Sequence, residues 1–106
     1  MARTQYPLSP ALSKLAAGLG QRIELARRRR DLSATLFAER IGVSRNTLMR
    51  LEAGDAAVAL GTYLKALRVL GLEADIDKVA SDDSLGRKLQ DSRSLRSRGR
   101  VNDTDI

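Results

Sequence analysis

The chain has 106 residues, enough for one small domain, and carries 19 Lys and Arg against 13 Asp and Glu, a formal charge of +6. It has no His, no Cys and only 3% aromatic residues, so zinc fingers, thiol nucleophiles, redox dithiols and Ser-His-Asp triads lack their atoms. The absence of Cys also fits a reducing cytoplasm, and no apolar run approaches the roughly 18 residues of a membrane helix.

The apolar set favours helices. There are 17 Leu and 14 Ala against 4 Ile and 5 Val, and Leu and Ala are strong helix formers. An all-α domain is therefore expected. Residues 1–10, with Pro7 and Pro10, are predicted to be a flexible arm, with no basic cluster ahead of a long apolar stretch and so no signal peptide. A helical pattern starts at Ser9 or Ala11: Leu12, Leu15, Ala16, Leu19, Ile23 and Ala26 recur at three- and four-residue steps. Gly18 and Gly20 weaken its first half, which places the proper start nearer Leu19. The run ends in Arg27-Arg28-Arg29-Arg30, where cations suit a helix C-terminus.

Ser33 can cap a second helix over Ala34 to Ile41, and Gly42 supplies its stop. Ser44 can cap a third helix over Arg45 to Ala53, ending at Gly54. A fourth helix is predicted from Leu60 to Leu70, with Leu60, Leu64, Leu67 and Leu70 on one stripe and Gly71 after it. A shorter fifth runs from Glu73 to about Ala80 and offers Ile76 and Val79. Tyr63 reads as a half-buried residue of helix four or part of a dimer interface. These elements make one domain over 11–83. Residues 84–106 are rich in Arg and Ser with few aliphatics, which predicts a disordered basic tail.

Charge is unevenly spread. Residues 14–50 hold nine basic and three acidic side chains, while 51–83 hold three and seven, so one face should be positive and another negative. Within the basic half, Ala38, Gly42, Leu48 and Leu51 follow the A-x3-G-x5-L-x2-L spacing of a helix-turn-helix: a small contact residue, a turn glycine and two inward leucines. If Leu48 and Leu51 face inward, Arg45, Asn46, Met49 and Arg50 face outward. Arg can grip guanine O6 and N7, Asn can grip adenine N6 and N7, and Thr47 can add a thymine-methyl or phosphate contact. Arg28 and Arg29, with Ser33 and Thr35, are candidates for phosphate contacts. The acids Glu24, Glu39, Glu52, Asp55 and Glu73 form no paired-carboxylate pattern, so no catalytic residue, metal site or cofactor is expected.

On GVSRNTLMRLE and its flanks, roughly Leu19 to Leu72, the chain resembles the Xre/Cro family of helix-turn-helix regulators, the fold of lambdoid phage repressors. The resemblance implies a lambda-repressor-like five-helix domain in which Ser44, Arg45, Asn46 and Arg50 enter the major groove. It also implies an Arg27–Glu52 pair tying helix one to helix three. Two positions depart from the family: Ala34 stands where Gln is usual, and Asp55 where the loop is often basic. The segments ELARRRRDLSATL, EAGDAAVALGTYLKALRVLGL and DDSLGR look more narrowly like HipB-type antitoxins, with Ala56 and Ser84 where Pro is expected. That likeness implies a cytoplasmic autorepressor, active as a homodimer on an inverted-repeat operator and partnered by a HipA-like kinase toxin. Leu70, Leu72, Ile76 and Val79 are the candidate dimer contacts. The tail, with Leu85 and Leu89 four residues apart, could dock on the toxin or add a non-specific grip on DNA. A stand-alone phage-type or controller repressor, and an interaction module that has lost DNA binding, are the alternatives.

Overall fold

Ser9 opens the first helix by accepting a hydrogen bond from the Leu12 N–H at 3.2 Å, and Pro10 takes the first helical position, where its missing N–H costs nothing. The computed structural model describes residues 7–96, and every element among them is helical: α1 (Pro10–Arg29), α2 (Ala34–Ile41), α3 (Arg45–Glu52), α4 (Leu60–Leu70), a 3₁₀ helix (Glu73–Lys78) and α5 (Ser84–Arg96). Most of the arm expected over 1–10 lies outside the described residues. Two units are formed, one through Ala74 and one from Asp75, so the first ends before the boundary expected at 83.

Helix α1 runs unbroken through Gly18 and Gly20, against the expectation of a start near Leu19. A Cβ on Gly20 would lie 2.5 Å from the Glu52 carbonyl oxygen and 2.5 Å from the Gly54 nitrogen. The glycine is there because α1 crosses the end of α3 backbone to backbone. Burial starts only at that crossing. Gly20, Ile23, Ala26 and Arg27 are buried, whereas Leu12 and Leu15, expected in the core stripe, are largely exposed.

Helices α2 and α3 follow their predicted limits closely. Ser33 accepts from Leu36 N at 3.1 Å and Ser44 from Thr47 N at 3.0 Å, each satisfying an orphan N–H of its helix. Gly42 adopts a φ of 86°, so its N–H reaches the Ala38 and Glu39 carbonyls and the Val43 N–H returns to Ala38. Only Val43 separates that stop from the Ser44 cap. This turn seats α3 on α2 around Ala38. The centre is filled by Ile23, Phe37, Leu48 and Leu51, with α1 packing on α3 and α4, and α2 on α3 and α4.

Helix α4 buries Leu67 and Leu70 of the predicted stripe but turns its first half differently. Tyr63, Ala66, Leu67 and Leu70 face inward at i, i+3, i+4 and i+7, while Leu60 and Leu64 are exposed. The reason is Tyr63, whose ring enters the core while its hydroxyl donates to the Asp55 carbonyl at 2.8 Å. The expected fifth α-helix is instead the 3₁₀ segment Glu73–Lys78, which has no buried residue. Leu70 is core and so drops out of the proposed dimer contacts; Leu72 and Ile76 are half-buried and Val79 is exposed.

The second unit corrects the expectation of a disordered tail over its described part. Residues 84–96 form α5, and Asp83 caps it by accepting from Gly86 N at 3.0 Å. Lack of core-forming residues argued against burial, and indeed Leu85, Leu89 and Leu95 are each more than half exposed. It did not argue against a local helix, because Leu, Arg, Lys and Gln are good helix formers. The rest of the tail, 97–106, lies outside the described residues.

Candidate nucleic-acid interface

The predicted reading residues lie on the one face of α3 that the core does not use. Leu48 and Leu51 are buried to 1% and 0% exposure, which turns Arg45, Asn46, Met49 and Arg50 outward. Ser44 is exposed at the start of the helix and Thr47 is half-buried beside it. The Ser44 and Thr47 hydroxyls also bond to each other at 3.1 Å, which fixes both at the start of α3.

The structure divides the four-arginine cluster by role. Arg27 turns inward: Nε and Nη2 donate to the two Glu52 carboxylate oxygens at 2.7 and 3.1 Å, and Nη1 donates to the Leu32 carbonyl at 2.9 Å. These bonds tie α1 to the end of α3 and to the joint before α2, in the pairing that the resemblance implies. The Glu52 hydrogen bond holds the Arg27 guanidinium above its ordinary range, against the opposing effect of burial. Arg28 is exposed but bonded to Glu24, one turn back, at 2.8 Å. Arg30 donates to the Ala26 carbonyl at 2.9 Å, and Arg29 is exposed. Of the two predicted phosphate-contacting arginines, Arg28 thus has its charge partly met within the chain.

On α2, Ser33 is occupied as the helix cap, and Thr35 Oγ1 accepts from Arg45 Nη1 at 3.0 Å. Predicted phosphate and base residues are therefore joined across the two helices. Arg50 has a partner that sequence reasoning missed. Its Nε donates to Asp55 Oδ2 at 2.9 Å, and Asp55 Oδ1 accepts from the Ala57 N–H at 2.8 Å. The Ala57 hydrogen bond, and after it the one from Arg50, hold the Asp55 carboxyl below its ordinary range, so it is ionised at neutral pH. The five-residue spacing hides the pair, because helical ion pairs are sought at three or four. Gly54, with a φ of 78°, folds the chain back and closes the distance.

Among the described residues, no group of three or more acids gathers as a metal site. No described helix is long and apolar enough to cross a membrane. A helix-turn-helix domain model matches residues 18–78, more than half of the chain, spanning α1's buried portion through the 3₁₀ segment. The chain belongs to the helix-turn-helix domain family. Within the matched span α2, the turn over Gly42 to Ser44 and α3 follow one another as helix, turn and helix, with the polar face of α3 exposed. The fold is the all-helical, lambda-repressor-like one, and DNA-binding regulation is the activity that such a domain implies. No curated protein matches the chain.

Proposed function

We propose that this protein is a sequence-specific DNA-binding transcriptional repressor. The observation that carries the reading is the exposed face of α3, where Arg45, Asn46 and Arg50 stand together on a helix anchored by Leu48 and Leu51. A guanidinium and a carboxamide are the two groups that make bidentate contacts with guanine and adenine in the major groove. Arg29, Arg28, Ser33 and Thr35 supply backbone contacts beside them. The protein acts as a cytoplasmic homodimer on an inverted repeat, because one recognition helix reads too few base pairs to define an operator. A two-fold pair places its recognition helices about 34–36 Å apart. Leu72, Ile76 and Val79 remain the candidate contacts. The resemblance to HipB-type antitoxins adds a HipA-like kinase toxin as partner, with the segment after residue 83 as its docking element.

Selection of duplexes from a random pool by the full-length protein, followed by gel shift, tests the DNA reading. A palindromic motif should emerge, and Arg45→Ala or Asn46→Ala should cost about 1–3 kcal/mol at one base pair per half-site. Equal losses on selected and random duplexes would mean that these side chains touch only backbone. Inspection of the adjoining genes for a HipA-like kinase, and co-expression with it, tests the partner. Failure to co-purify leaves a stand-alone repressor.

A further inference from the structure

We infer that Asp55 is a positioning residue that aims the Arg50 guanidinium at a guanine, and so sets which base this helix reads. This rests on Arg50 being a base-contacting residue. The geometry is unusually closed for a surface pair. Asp55 N donates to the Arg50 carbonyl at 2.9 Å while Arg50 Nε donates back to Asp55 Oδ2 at 2.9 Å. The second carboxylate oxygen accepts from Ala57 N at 2.8 Å, and the Asp55 carbonyl accepts from the Tyr63 hydroxyl at 2.8 Å. Every polar group of Asp55 is engaged. Because Tyr63 is only 7% exposed, its bond ties the Asp55 backbone to the core, while the carboxylate, 35% exposed, is held by Ala57 N and Arg50.

That arrangement selects among the ways in which an arginine can meet a base. The guanidinium has five N–H groups, one on Nε and four on the two terminal nitrogens. Asp55 takes the Nε proton, which leaves the end-on fork of the terminal nitrogens. Guanine offers two adjacent acceptors, O6 and N7, that match such a fork. Adenine offers N7 beside an N6 donor, so one arm of the fork would meet a donor. An acid beside the duplex also repels phosphate, which lowers affinity for all sequences alike. A carboxylate here therefore makes physical sense as an aid to discrimination, not to overall grip.

The test is selection from a random duplex pool with the full-length wild type, Arg50→Ala, Asp55→Asn and Asp55→Ser. The amide of Asp55→Asn keeps one acceptor oxygen in place of two, and Asp55→Ser keeps an oxygen for the Ala57 N–H while removing the partner of Arg50. Thermal melting shows that the variants compared are folded. Wild type should recover a guanine at one fixed position of each half-site, with discrimination of about 5- to 150-fold. Arg50→Ala should erase that preference. Both Asp55 variants should weaken it at least several-fold at the same position and nowhere else, with affinity for random duplex unchanged or tighter. If both Asp55 variants keep the guanine preference at full strength while Arg50→Ala erases it, the positioning role is wrong and the Arg50 contact stands. If Arg50→Ala erases no position, the base contact itself is wrong and this inference falls with it.

Discussion

Helices α3 and α5 start from similar local material and end with different standing in the molecule. Each is opened by a side-chain cap, Ser44 in one and Asp83 in the other, and each carries basic residues, two in α3 and four in α5. Helix α3 has only eight residues, yet Leu48 and Leu51 are fully buried and its end is pinned by Glu52 to Arg27. Helix α5 has thirteen, and its Leu85 and Leu89 are 66% and 57% exposed. The comparison shows why α3, and not α5, is the helix suited to the proposed recognition. A side chain reads a base only if its own backbone is held to a fraction of an ångström, and buried anchors do this where caps and propensity do not.

Phe37→Ala should widen the gap most, by removing the support under α3. The side chain is fully buried, and its truncation should cost about 3–5 kcal/mol in chemical denaturation, a large share of a small domain's stability. Retained stability within about 1 kcal/mol would mean that the core is not built around it.

Arg27→Ala removes the pin at the other end of α3. It should cost about 3 kcal/mol, the low end for a buried pair, because the Glu52 side chain stays 11% exposed and can take water. The double substitution Arg27→Met with Glu52→Leu should recover much of that loss, since no carboxylate is then left unpaired. A cycle in which the double variant is no better than Arg27→Ala would show that the pair matters through packing alone.

Gly20→Ala offers a sign test. On an exposed helix this change gains up to about 1 kcal/mol. Here the new Cβ would lie 2.5 Å from the Glu52 carbonyl, and overpacking of that kind costs about 1–3 kcal/mol. A stabilised variant would show that α1 does not press on the end of α3.

The smallest effects belong to α5. Leu85→Ala and Leu89→Ala should move the unfolding midpoint by no more than about 0.5 kcal/mol, because neither side chain is buried. A loss above about 2 kcal/mol would mean that α5 is anchored as α3 is.

Much of the frame was legible in the chain. Leu and Ala content, the Ser33 and Ser44 caps, the Gly42 stop and the spacing of Leu48 and Leu51 are local signals. A cap bonds three residues away and a helical face repeats within four, so one stretch of sequence contains the whole interaction. The outward set of α3 followed from the same periodicity. What the chain did not disclose lies in contacts between distant segments. Four arginines in a row look alike by composition; the resemblance singles out Arg27 for Glu52, but only the folded chain adds the Leu32 carbonyl as its second partner and leaves Arg29 outside. Gly20 reads as a weak point in a helix until the backbone of Glu52 is laid against it. Tyr63 takes the place of Leu60 and Leu64 inside because the loop carbonyl of Asp55 is there to receive its hydroxyl. Asp55 reads as a departure from a basic loop until Gly54 folds it back onto Arg50. The sequence by itself determined α2, α3 and α4 and which face of α3 turns outward, because those depend on neighbours along the chain. Tertiary structure decided the Arg50–Asp55 pair, the close approach at Gly20 and the entry of Tyr63 into the core, because those contacts join segments that no local periodicity brings together.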